Sequence, residues 1–315
     1  MSAADPCQAE LIVDTDLKGV NDDAFALHFL LTHQRIPSLV TTCSGNTLAS
    51  DSLDDVRDLL AHHAVDVPTQ AGPDCPAGWT PEIHEHHRKL RKELGESAYL
   101  GDLGSPRTHC VTTERGSAIT YSRPAGPVDY LALGPLGNLR DALASTALAA
   151  ADIRQLVFSG GAFGVPGNVG QHAEFNVLAD PLAAAEVFAT RFARVTVVPL
   201  DVTTDLTYGL PQYRRIVSGP GPFSRDLERT KGAIFRAQPD FREPLWDLVA
   251  ALVLTEPEIV TRSVTGHVRV DTSLTASLGA TTFHRSDHGR VEVVLAVDTE
   301  LVLHHLARTF EGAEL

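Results

Sequence analysis

The stretch that decides the fold runs Leu11-Ile12-Val13-Asp14-Thr15-Asp16-Leu17-Lys18-Gly19-Val20-Asn21-Asp22-Asp23. Its three leading β-formers read as a short strand, and a helical pattern from Asp22 to His33 follows. Four carboxylates therefore fall within ten residues, between a strand end and a helix start. Helix capping and the helix dipole account for Asp22 and Asp23. They do not account for Asp14 and Asp16 at the strand end. Packed together, these groups repel one another unless a hard cation neutralises them, and Ca²⁺ or Mg²⁺ with oxygen ligands is the usual solution.

Outward from this stretch the same rhythm continues. Ser38 to Cys43 reads as a strand, Ser50 to His63 as a helix, VPTQA around Val67 as a strand, and Val128 to Leu133 as another. A helix over Leu136 to Ser145 and strands over Gln155 to Phe158 and Val195 to Leu200 complete the series. The expectation is an α/β fold with a mostly parallel central sheet and helices on both faces. Ligands of such sheets bind beyond the carboxyl ends of the strands. Residues 73–127 break the rhythm and read as a lid or insertion, in which His84-Glu85-His86-His87-Arg88-Lys89 suggests a solvated helix. Pro211 to Pro244 reads as helical, Val264 to Val297 as a small C-terminal β-hairpin, and Glu300 to Phe310 as a final amphipathic helix.

The chain has 315 residues, 43% apolar and 21% charged, which places it among ordinary globular proteins. Forty acidic against 26 basic residues give a formal charge of -14, which repels phosphate backbones and anionic lipid. Neither nucleic acid nor membrane is an expected partner; a small neutral ligand or a metal cation fits. MSAADPCQAE carries no basic and apolar leader, and no run approaches the ~20 apolar residues of a bilayer span. The expected location is cytoplasmic. Cys7, Cys43, Cys75 and Cys110 form no CxxC pair and read as isolated reduced thiols.

A second cluster, Gly160-Gly161-Ala162-Phe163-Gly164-Val165-Pro166-Gly167-Asn168, precedes Ala173-Glu174-Phe175-Asn176 and Asp180-Pro181. Glycines after a strand let backbone approach a ligand closely, while Asn168, Glu174 and Asn176 offer groups suited to sugar hydroxyls. With these blocks in place, the chain resembles the inosine-uridine-preferring nucleoside hydrolase family. The resemblance runs in order through the DTD and DD aspartates, Gly45-Asn46, Ala71-Gly72, Leu133-Gly134-Pro135-Leu136-Gly137-Asn138, the glycine and AEFN blocks, Leu200-Asp201-Val202-Thr203 and Leu245-Trp246-Asp247.

This resemblance implies one α/β domain over residues 1–315, a Ca²⁺ ion at the carboxyl edge of the sheet, hydrolysis of the N-glycosidic bond of ribonucleosides, and a homodimer or homotetramer. It implies that Asp16, Asp23, Asp247 and the main-chain carbonyl of Leu133 hold the metal, and that Asp16 is the general base for the attacking water. Asp22, Asn46, Asn168, Glu174 and Asn176 match positions that hold the ribose, with Phe175 lining the site. Such an ion would fix a water and two vicinal hydroxyls at once, and surrounding carboxylates would stabilise an oxocarbenium-like transition state.

Three departures from the family pattern stand out. The aspartate element has five residues between DTD and DD where the common form has three. No His-Gly flap precedes residue 110; Tyr99-Leu100-Gly101-Asp102-Leu103-Gly104 is the nearest match. Trp246 stands where many members carry His, which removes an imidazole acid and suggests a purine base stacked between Trp246 and Trp79. Two other readings are weighed beside this one. Asp14-Thr15-Asp16 alone also suits a haloacid-dehalogenase-like phosphatase, with Asp14 as nucleophile. A nucleoside-binding module, or an enzyme for a modified nucleoside, would keep the fold and drop ordinary turnover.

Overall fold

A computed structural model describes residues 9–95, 100–105, 119, 121 and 124–311. Cys7, Tyr99 and Cys110 lie outside the described residues, as does much of the expected insertion. In chain order the elements are β1 (Glu10–Thr15), α1 (Asp22–Thr32), β2 (Leu39–Thr42), α2 (Ala49–His62), β3 (Thr69–Ala71), α3 (Pro81–Leu94), β4 (Val128–Ala132) and α4 (Gly137–Ala144). They continue with β5 (Ile153–Ser159), α5 (Phe175–Ala179), α6 (Pro181–Ala189), β6 (Val195–Val198), α7 (Leu200–Thr203), β7 (Thr207–Gly209), α8 (Leu210–Val217) and α9 (Pro222–Ala237). The remainder are β8 (Arg242–Pro244), α10 (Trp246–Thr255), β9 (Val260–Val270), β10 (Thr281–Arg285), β11 (Val291–Val297) and α11 (Thr299–Glu311).

Nine strands form one sheet in the order β10-β9-β11-β6-β5-β4-β1-β2-β3. From β3 to β11 every neighbouring pair is parallel, and only β9 runs against the rest, pairing antiparallel with β11 on one side and β10 on the other. The α/β expectation holds, and so does the C-terminal hairpin, β9 with β10. It joins the main sheet: β11 pairs with β6 and carries β9 and β10 with it. The cause is legible in Val291–Val297, whose run VEVVLAV supplies apolar residues to both faces and suits an interior strand.

Two helices on one face matter most. α1 and α10 are buried nearly all round, as Phe25, Leu27, Leu30, Leu248, Ala251 and Leu252 illustrate, and they pack in the same core with β1. α4 and α6 cover the opposite face. A helix buried on all sides has a fixed axis, so its first turn is a fixed point. Asn21 caps α1, its side chain accepting from the Ala24 N–H, which fixes Asp22 and Asp23 in the first turn. Asp247 occupies the first turn of α10.

The helix expected to be solvated is only half so. In α3, Glu85, Arg88 and Lys89 face outward, but Ile83, His84 and His87 are buried, and His87 Nε2 lies 3.0 Å from the Leu178 carbonyl. Burial holds the His87 imidazole neutral, with its pKa pushed down to about 4. The cysteines also depart from expectation. Cys43 is free and buried, but Cys75 is disulfide-bonded. Wide spacing in sequence says nothing about distance in space, which is what a disulfide requires.

Candidate functional site

A cleft opens at the carboxyl ends of β4, β5 and β6. It is bounded by Asp16, Asp22, Asn46, Leu133, Asn168, Glu174, Phe175, Asn176, Trp246 and Asp247, together with Ser159, Gly160, Val198, Leu200 and Thr203. Residues spread over two hundred positions of sequence thus meet where an open parallel sheet binds ligands.

The acidic floor comes from the two helix starts and the end of β1. Asp22, Asp23 and Asp247 each bring a carboxylate oxygen within 4.8 Å of the others. Asp23 sits behind the cleft wall, accepting from the Thr15 hydroxyl and, at 2.7 Å, from the Asn21 amide. Asp16 Oδ2 accepts from the Asn46 backbone N–H at 2.6 Å. Burial, then the charge of Asp23, pushes Asp16 well above the carboxylate range and Asp22 up to about 8. Burial, then Asp22 and Asp23, does the same to Asp247. The charges that act most strongly on these groups are other carboxylates, so a cation beside the floor favours its ionised form. Buried, oxygen-only donors of this kind fit a hard divalent ion.

Close backbone approach holds Asp16 in place. A Cβ on Gly45 would come 2.1 Å from Asp16 Oδ2, and one on Gly134 would come 2.5 Å from Cys43 Sγ. The long turn of the aspartate element is tied at both sides: Lys18 Nζ donates to the Asn46 carbonyl at 3.1 Å, and the Gly19 N–H to Asp55 at 2.8 Å. The two extra residues are thus accommodated without displacing Asp16 or Asp22 from the cleft.

On the opposite wall, hydrogen bonds set what each side chain can still offer. Glu174 caps α5, accepting from Gly161, Asn176 and Val177 N–H groups at 2.9, 2.8 and 3.2 Å. Burial raises its pKa to about 7 despite those bonds. Asn176 donates both amide hydrogens, to Leu133 O at 2.7 Å and Ser159 O at 2.9 Å, which leaves its own oxygen as acceptor. Asn168 is the reverse: its oxygen accepts from the Phe175 N–H at 2.9 Å, leaving its amide hydrogens.

Two sequence expectations need correction. Trp79 is not at the cleft. It is buried in a cluster with Leu100, Leu103, Phe175 and Leu178, and its indole N–H donates to the Ala179 carbonyl. Asp14 is fully buried beneath the sheet edge, bonded to Thr41 and Asn138, and does not line the cleft, so it cannot serve as a phosphatase nucleophile. The segment near the missing flap does lie beside the site. Arg91 Nη1 donates to the Gly101 and Leu103 carbonyls at 3.0 and 3.2 Å, and a Cβ on Gly101 would come 2.7 Å from the Asn46 Cα. Ser159, Val198, Leu200 and Thr203 are cleft residues that sequence reasoning missed; the signal for the first three is position, since each stands at or just after a strand end, whereas Thr203 is brought in by the short helix α7.

Residues 11–304 match the profile of the inosine-uridine preferring nucleoside hydrolase family. The chain belongs to this family. Among its relatives, uridine nucleosidase 1 of Arabidopsis thaliana is 29% identical over 280 residues, covering 84% of this chain and 78% of that protein. The pyrimidine-specific ribonucleoside hydrolase RihA of Shewanella sp. (strain MR-4) is 30% identical over 233 residues, covering 73% and 71%. In structure, an inosine-guanosine nucleoside hydrolase superposes with a TM-score of 0.75 at 22% identity, over 96% of this chain and 99% of that one. The protein is therefore a nucleoside hydrolase, an enzyme that cleaves an N-glycosidic bond, and the phosphatase and pure binding readings fall away.

Proposed function

We propose that the protein is a calcium-dependent ribonucleoside hydrolase with a preference for purine nucleosides. The observation that carries the reading is the meeting of Asp16, Asp22, Asn46, Asn168, Glu174, Asn176, Trp246 and Asp247 around one cleft. Asp16, Asp23, Asp247 and the Leu133 carbonyl would hold Ca²⁺, which when bound supplies positive charge and ligation for vicinal hydroxyls.

The chain's own groups divide the remaining work. Asp22, Asn46, Asn168, Glu174 and Asn176 orient the ribose by complementary donors and acceptors, which fixes the anomeric carbon against an attacking water. Asp16 takes that water's proton as the new C–O bond forms and the C–N bond breaks. Carboxylates around the ring stabilise the positive charge that develops on the sugar. Trp246 offers a flat face to the leaving base, and stacking on an indole favours the protonated base over the neutral one. With Trp79 elsewhere, Phe175 is the other aromatic side chain among the described residues that line the cleft.

The experiment is release of reducing sugar from inosine, guanosine, adenosine, uridine and cytidine, with metal retained and after chelation. Turnover that requires calcium and is fastest with purines is expected. Trp246→Ala should lower purine kcat/KM by about tenfold or more while pyrimidine turnover changes less, given the ~0.5–1.5 kcal/mol of a ring contact beyond its buried area. A second reading, pyrimidine preference, is favoured by the names of the two sequence relatives. Faster release from uridine and cytidine than from the purine nucleosides would support it, and equal loss on both base classes in Trp246→Ala would overturn the stacking role of Trp246.

A further inference from the structure

The wall of the cleft at Gly160 continues into a loop whose successive backbone N–H groups are claimed by four different segments of the chain. Gly160 donates to the Val198 carbonyl at 3.1 Å, Gly161 to Glu174 at 2.9 Å, and Phe163 and Gly164 to the two oxygens of Asp201 at 2.8 and 2.5 Å. Between them lies Ala162, whose partner comes from the far edge of the sheet. Its N–H donates to Thr281 Oγ1 at 3.0 Å, and the same hydroxyl donates to the Ala162 carbonyl at 2.7 Å. One side chain thus satisfies both polar backbone groups of a loop residue. Thr281 opens β10, and the neighbouring Ala280 forms an isolated antiparallel bridge with Ala173, the residue before Glu174.

We propose that Thr281 is a positioning residue for the sugar site: its two-way bond to Ala162 couples the β9–β10 edge of the sheet to the glycine loop, and through that loop to Glu174 and Asn168. Glu174 is held in part by the Gly161 N–H, one residue from the clamped Ala162. Freeing Ala162 therefore loosens the backbone that fixes the carboxylate, although Thr281 itself is not a residue of the cleft lining. Positional error of about 1 Å in a substrate-holding group is enough to cost on the order of a hundredfold in rate. The proposal rests on the assignment of Glu174 and Asn168 to the ribose.

The test compares Thr281→Val, which keeps the shape and removes the hydroxyl, with Thr281→Ser, which keeps the hydroxyl. On the full calcium-loaded chain, Thr281→Val should raise KM for nucleoside about tenfold with a smaller change in kcat, and Thr281→Ser should stay near the unsubstituted enzyme. Amide hydrogen exchange, read on the same proteins without substrate, should quicken over residues 160–164 in Thr281→Val and not in Thr281→Ser. Thr281→Ala repeats both measurements should the valine variant fail to fold. Unchanged exchange in the hydroxyl-free variant, or equal effects in the serine variant, overturns the clamp. Should the unsubstituted chain release no sugar, the functional reading fails and the exchange comparison still decides the clamp.

Discussion

The buried carboxylate proposed as the general base is held by its neighbours' lack of bulk as much as by its hydrogen bond to Asn46. Asp16 fits between Gly45 and Gly134, and a methyl at Gly45 would overlap its Oδ2. Gly45→Ala should therefore displace Asp16 and lower kcat by a factor on the order of a hundred, read as steady-state turnover with a circular dichroism spectrum like that of the parent. Asp16→Asn keeps the volume and removes the proton acceptor. Its kcat should fall by about a thousandfold, within the usual range for a general base. Its calcium-free form should melt no lower than the parent's, because one of several mutually repelling carboxylates has gone; a melting temperature several degrees lower would show that Asp16 is chiefly structural. Trp246 and Trp79 make the converse point. The same residue type in one chain lines the cleft in one case and packs a core in the other.

At the scale of elements, α1 does two unrelated things at its two ends. Its first turn presents Asp22 to the cleft with Asp23 behind it, while its second half carries His28 into an aromatic cluster. His28 stacks on Phe223 of α9 and Phe310 of α11, and its Nδ1 lies 2.7 Å from His63 Nε2. Burial, then His63 and His33, holds the His28 imidazole neutral, with its pKa pushed down to about 3 from an ordinary 6.5. Because the folded pKa is depressed, the unfolded chain takes up the proton first as pH falls. Stability is full above about pH 6.5 and declines towards pH 3, by up to about 1.4 kcal/mol per pH unit. Thermal melting from pH 7 to pH 4 should show this decline, and His28→Phe should flatten it. An unchanged slope in that variant would assign the acid sensitivity to other groups. The β9–β10 hairpin is the other element whose role its sequence hides. It is an edge far from the aspartates in sequence, and it reaches the glycine loop through Thr281.

Over the whole molecule, the sheet gathers charge that the fold alone does not balance. Calcium should raise the melting temperature, since an ion that binds the folded chain stabilises it by about 2.7 kcal/mol at a hundred times its dissociation constant. Differential scanning calorimetry with calcium and after chelation reads this, and equal melting temperatures would argue against a resident ion. Much of this architecture was legible beforehand. β1, β2, β4, β5 and β6 read as strands because β-branched and apolar residues cluster there at short length, and the aspartates of 14–23 marked the carboxyl edge where the cleft lies. Glu174, Asn168 and Asn176 were legible through motif order. Sequence also determined which groups are available: an acidic, oxygen-rich set with Trp246 in place of an imidazole. Tertiary structure alone decided the rest. Whether β11 stands in a hairpin or inside the sheet, whether His87 faces water or Leu178, whether Trp79 meets the base, and whether Cys75 finds a partner all depend on distances between residues remote in the chain. Local propensity and spacing carry the identity of a side chain and the element that bears it; its neighbours are set by how those elements pack.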